Sequence, residues 1–155
     1  MEWFFVAYLD NLEELHQEVL KKIKDLPMEA LDWIPVAGSN SCNILVAHIA
    51  GAEKFWLGDV VAGISSGRDR EAEFTVSGKS VDELEMILAQ SQEFAKKMLG
   101  GLTLADLDTS RVSPRDNRQV TVAWALDHTL KHTALHLGHI ELTCQLYQSE
   151  YKKQA

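Results

Sequence analysis

The sequence predicts an all-α protein, a four-helix bundle forming one domain over residues 1–155, and three observations carry that prediction. Four segments repeat apolar residues at three-and-four spacing, the signature of helices with one buried stripe. The stretches between them are polar and rich in turn residues. The chain's 155 residues, 46% of them hydrophobic with four tryptophans and only three prolines, are enough for one buried core and show no internal repeat.

The first helix is expected over residues 3 to 26, where Phe5, Tyr8, Leu12, Leu15, Val19, Ile23 and Leu26 share one face and Pro27 marks the end. A turn-rich stretch, "LPMEALDWIPVAGSNS", leads to a second helix starting near Ser39 to Ser41, whose hydroxyls can cap it, and running to about Gly63. The polar connector "GISSGRDREAEFTVSGKS" holds one extended piece, Glu73 to Val76. Ser80 with Glu83 forms a capping box for the third helix, whose face is Val81, Leu84, Ile87, Leu88 and Met98 and whose stop is Gly100-Gly101. A loop with Pro114 precedes the fourth helix, from about Thr121 to Tyr147. Because all three connectors exceed about a dozen residues, consecutive helices need not be antiparallel neighbours.

With 23 acidic against 15 basic side chains the formal charge is -8, which argues against a surface that neutralises nucleic-acid phosphates. The start, "MEWFFVAYLD", lacks the basic region of a signal peptide, and its apolar run is too short to span a bilayer. A cytoplasmic location without membrane contact follows as the expectation. Cys42 and Cys144 form no CxxC pair and are expected as buried free thiols.

Four of the six histidines fall within "DHTLKHTALHLGH", residues 127 to 139. On a wheel at ~100° per residue from Leu126, the polar residues of this helix cluster near ~105°, which puts the buried centre near ~285°. His136 at ~280° and His132 at ~240° face that centre, while His139 at ~220° and His128 at ~200° lie nearer the flank. Leu130, Leu137, Ile140 and Cys144 make one apolar wall beside them, and Trp124, Leu135, Leu142 and Leu146 make the other. On the second helix His48 also points inward, among Ile44, Leu45, Ala52 and Phe55. Glu53 lies ~140° from His48 and cannot share its direction without a distortion of the helix.

Three inward imidazoles need partners, since an unsatisfied buried polar group costs about 1 to 3 kcal/mol. One divalent metal would satisfy all three: His132 and His136, one turn apart, can bind the same ion, and His48 reaches it from across the bundle. Three neutral histidines suit zinc or nickel, with iron, cobalt and manganese as further candidates, and leave a coordination position for water or substrate. The bland alternative is that these histidines bond buried hydroxyls such as Thr129 or Thr143, or carboxylates, and bind nothing. His128 and His139 are expected beside the site, His16 on the surface, and Glu53 and Glu141 as solvent or capping carboxylates. Only Glu13 to His16 offers an ExxH, so a di-iron carboxylate centre does not fit.

The segments "GSNSCNILVAHIAGAEKFWLGDV" and "DHTLKHTALHLGHIELT" resemble the second and last helices of DinB-like proteins, with "LDWIP" and "RDREAEF" extending the likeness over nearly the whole chain. That resemblance implies an up-down-down-up four-helix bundle, often a homodimer, with a metal on His48, His132 and His136. Many members read H-x-G-Q where this chain has His136-Leu137-Gly138-His139. Relatives that use low-molecular-weight thiols imply a metal-dependent enzyme that activates a thiol, as co-substrate, or water against a small-molecule substrate. A thiol S-transferase is the preferred form, and a non-catalytic metal- or ligand-binding stress-response protein is the alternative. Glu53, His128 and His139 are the candidates for supporting or proton-transfer groups, and Arg68 or Arg70 for an anionic substrate.

Overall fold

A computed structural model describes residues 1–151. Helix α1 spans Trp3–Ile23 and buries Phe5, Tyr8, Leu12, Val19 and Ile23. It stops three residues short of Leu26, whose N–H bonds the Ile23 carbonyl at 3.0 Å in a closing turn. Pro27 then opens a short helix α2, Met28–Asp32. Helix α3, Cys42–Lys54, begins as expected on a serine cap, with the Ser41 hydroxyl accepting from the Ile44 N–H. From Phe55 to Ala62 the coil widens into a π-helical segment. Gly63, at φ +66°, ends it in the left-handed region that a side chain would disfavour.

Glu73 to Val76 is not extended: α4 spans Arg70–Glu73 on an Asp69 cap, because that aspartate accepts from the Ala72 N–H and starts a helical turn. The Ser80–Glu83 capping box is present at the start of α5, Val81–Leu99. Two strands unforeseen in the sequence follow, β1 (Ser110–Val112) and β2 (Gln119–Thr121), antiparallel with Arg111 opposite Val120. Three residues each is too short for alternation to show. Helix α6, Val122–Tyr151, runs a turn beyond the expected Tyr147.

The bundle helices are α1, α3, α5 and α6. Helices α3 and α5 each pack on α6 or α1 as well as on each other, so that α1 lies diagonal to α3. Lys22 near the end of α1 meets Glu141 late in α6, making that pair parallel. Early His48 meets late His136, whereas late Trp56 meets early Trp124, so α3 and α6 are antiparallel. Gln92 of α5 bonds the Leu9 carbonyl while the α3–α5 contact runs from Ala50–Ser91 to Gly58–Phe94, which completes an up-down-down-up order.

The core divides into two apolar clusters. One gathers Phe5, Leu12, Trp56, Leu57 and Leu126 at the hairpin end, and the other Val19, Ile23, Ile49, Leu88 and Ile140 at the opposite end. Cys42 and Cys144 meet in the second as free buried thiols. The hydrogen bond Cys42 donates to Cys144, together with burial, pushes its thiol pKa up.

Between the clusters lies a polar node built by all four bundle helices. Glu53 of α3 accepts from His16 Nε2 of α1 at 2.9 Å, from Ser91 of α5 at 2.6 Å and from Thr133 of α6 at 2.8 Å. This overturns the expected surface His16 and solvent-facing Glu53, which are 2% and 1% exposed. The bond between His16 Nε2 and the Glu53 carboxylate offsets the cost of placing both groups inside, although His16 Nδ1 has no partner among the described residues. Glu141 does face solvent, paired with Lys22 at 2.8 Å.

Candidate metal centre

His48, His132 and His136 come together in the seam between α3 and α6, each offering a ring nitrogen within 4.8 Å of the others. Their ring centroids are 5.0, 4.9 and 4.4 Å apart. They are half-buried rather than central. The fully buried line of α6 is Val122, Thr129, Thr133 and Ile140, so the true inward direction lies near ~320° on the same wheel and the histidines stand on its shoulder. The expected inward aim thus becomes a lateral one, because Thr129 and Thr133, not the histidines of α6, take the line that faces the other helices.

Each histidine has a distinct partner behind it. His48 Nδ1–H donates to Glu73 at 2.9 Å, which leaves Nε2 as the nitrogen with a free lone pair. Arg68 grips the same carboxylate from Nε at 2.5 Å and Nη2 at 2.8 Å. Burial alone would raise the Glu73 pKa, but the hydrogen bonds from Arg68 and His48 outweigh it and hold the carboxyl below its ordinary value. Gly51 makes room for this group, since a Cβ there would strike the Glu73 carboxylate. His136 and His139 approach Nδ1 to Nδ1 at 3.2 Å, and His136 Nε2 lies 3.2 Å from His132 Nε2. His132 Nδ1 is buried with no partner among the described residues.

Burial and the neighbouring histidines push His132 down to about 3, and burial with His48 and His139 brings His136 to about 4. Both are therefore neutral at pH 7, the form that donates a lone pair to a metal. Three imidazoles converging nitrogen to nitrogen, with a carboxylate and a further imidazole behind two of them, fit the donor set and supporting shell of a transition-metal site.

Of the other residues singled out in the sequence, His128 stacks on Trp124, ring planes 10° apart, with its centroid 6.0 Å from His132. Burial and the cations Arg118 and Arg115 lower its pKa, so it too is neutral. Glu53 serves the core node and does not reach this site. Arg68 is spent on Glu73, and Arg70, 52% exposed, lies over Phe74, whose ring is 5.1 Å from His48. Sequence reasoning missed Glu73. Its only signal was a carboxylate in a connector already dense with acids.

A profile of the DinB superfamily matches residues 11–140. The chain belongs to the DinB superfamily. No curated protein sequence matches it. Among solved structures, this DinB chain shares its fold with a conserved protein from Enterococcus faecalis (TM-score 0.77, 16% identity, covering 94% of this chain and 97% of that one). It shares it likewise with a DinB-like protein, YjoA, from Bacillus subtilis (0.65, 19%, 91% and 89%). A third is YfiT from Bacillus subtilis (0.72, 17%, 94% and 89%), described as a probable metal-dependent hydrolase with an unusual four-helix bundle topology.

Proposed function

We propose that His48, His132 and His136 hold one divalent transition metal, zinc or nickel first, and that this DinB protein is a metal-dependent enzyme acting on a small molecule. The observation that carries the reading is the meeting of three imidazoles from two helices with their nitrogens within 4.8 Å. An ion held this way supplies Lewis acidity that brings the pKa of a bound thiol or water toward neutrality. Transfer to or from a low-molecular-weight thiol is the preferred reaction, with hydrolysis, the chemistry named for YfiT, as the competing one.

This chain's own residues divide the remaining work. Glu73, fixed by Arg68, holds the His48 ring with Nε2 free. His139 accepts from His136 Nδ1 and so selects the tautomer with a free Nε2. His128, neutral and half-buried, is a second imidazole acceptor beside the three rings, next to His132. Buried free thiols favour a reducing, cytoplasmic setting. Trp124, Leu135, Leu142 and Leu146, 37 to 57% exposed on one side of α6, supply the apolar strip for a homodimer.

Metal analysis of protein purified without a histidine tag tests the reading. Less than about a tenth of an equivalent of any transition metal sinks it. His132→Ala should lose the metal while keeping its helical circular dichroism. In the cobalt-substituted protein, visible bands that stay fixed under glutathione, bacillithiol and mycothiol would remove the thiol reaction in favour of hydrolysis.

A further inference from the structure

A closed circuit of contacts leads away from the three histidines and back to them. Arg68, which secures Glu73 behind His48, lies 5.7 Å from the Phe55 ring. Arg115 lies over the same ring at 5.5 Å and beside Trp56 at 6.0 Å. Arg118 covers Trp56 at 5.5 Å and Trp124 at 4.4 Å. Trp124 stacks on His128, and His128 adjoins His132. The rim of the seam is thus aromatic, with guanidinium groups laid on its faces.

Two of these three cations have no buried counter-charge. Arg68 is neutralised by Glu73 and only 9% exposed. Arg115 is 48% exposed and meets only its sequence neighbour Asp116, at 3.4 Å, while Arg118 has no carboxylate partner among the described residues. They sit on adjoining rings, in a chain whose net charge is -8. Stacking engages the flat face of a guanidinium and leaves its in-plane N–H donors free for a bidentate oxygen group.

The β1–β2 hairpin fixes where these donors stand. Arg111 Nε bonds the Val61 carbonyl at 3.0 Å, tying the hairpin to the π-helical segment that carries Phe55 and Trp56. The Ser113 N–H bonds the Arg118 carbonyl at 2.9 Å and the Asn117 N–H bonds the Ser113 carbonyl at 2.9 Å. Asn117 takes φ +58°, a conformation asparagine tolerates. The turn therefore presents Arg115 and Arg118 on one side.

We propose that Arg115 and Arg118 bind the anionic oxygen group, carboxylate or phosphate, of the small molecule that reacts at the three-histidine site. The assignment rests on that site being the reaction centre. It makes the substrate or thiol co-substrate an organic anion whose charged end lies across the His128–Trp124 stack from its reacting atom.

The test titrates metal-free protein with sodium succinate and with inorganic phosphate at constant ionic strength, following tryptophan fluorescence. A saturable change with either anion is expected, and the better of the two identifies the group. Arg118→Gln and Arg115→Gln should each weaken it at least about tenfold, whereas Lys97→Gln on α5 should not. Circular dichroism confirms that these exposed variants fold. No saturable change with either anion, or one that both glutamine variants retain, overturns the site whether or not the protein binds cobalt. In the cobalt form, Arg118→Gln should weaken glutathione far more than uncharged 2-mercaptoethanol. Equal weakening of the two would refute the claim that the anion belongs to the reacting molecule.

Discussion

Glu53 is the residue on which the interior depends most. Its two oxygens receive hydrogen bonds from three other helices. Removing one charge of a buried, bonded pair strands the other, so Glu53→Gln should destabilise the fold by about 3 to 5 kcal/mol, read from the urea midpoint. The pH dependence has a definite sign. Burial lowers the His16 pKa, but the Glu53 charge and hydrogen bond more than reverse this, leaving it above 6.5. A raised folded-state value means that the contribution is complete below about pH 6.5 and fades as pH rises through the folded pKa. Urea midpoints should therefore fall between about pH 6 and pH 9 in the wild type, and this fall should be absent in Glu53→Gln. A wild-type midpoint flat across that range would refute the charged pair.

At the scale of elements, the connector between α3 and α5 supplies the support behind His48, through Glu73 and Arg68. Glu73→Gln keeps the shape of the side chain but weakens its acceptance from His48, and metal affinity in a chelator competition should drop about 10- to 100-fold. Gly51→Ala acts from the neighbouring helix by displacing the same carboxylate, so it should reproduce that loss with little change in thermal midpoint. Unaltered affinity in both variants would mean that Glu73 does not support the site. What sequence revealed here, and what it did not, follows from range. The Ser41 cap and the Ser80–Glu83 box depend on residues within a single turn, and both appeared where expected. The meeting of His16 with Glu53, 37 residues away, and of His48 with Glu73, 25 away, depends on how helices are placed, which periodicity does not encode. The shift of the α6 histidines from the core to its shoulder has the same origin. The wheel located the polar side of the helix, but α1 and α3 together decided which threonines would face inward.

For the whole molecule, the outer row of α6 is the apolar surface that assembly would cover. Leu135 and Leu142 are 57% and 53% exposed on a helix whose other apolar wall is packed. Burying such a row against a second copy removes apolar area from water on both. Leu142→Glu should convert a dimer to a monomer in sedimentation velocity, and an unchanged sedimentation coefficient would exclude this face. None of the described helices is long and apolar enough to cross a bilayer.

The up-down-down-up order has one more effect. Because α3 and α5 run the same way, the chain leaving α3 must travel back along its whole length before α5 can begin. On that return it passes Arg68 by Phe55, Glu73 by Gly51 and His48, and Gly78 by Asp32. A bundle with tight turns has no such returning strand of chain. Grafting the three histidines onto one would copy the rings and omit the carboxylate that holds the first of them, so in this architecture the detour is part of what builds the cluster.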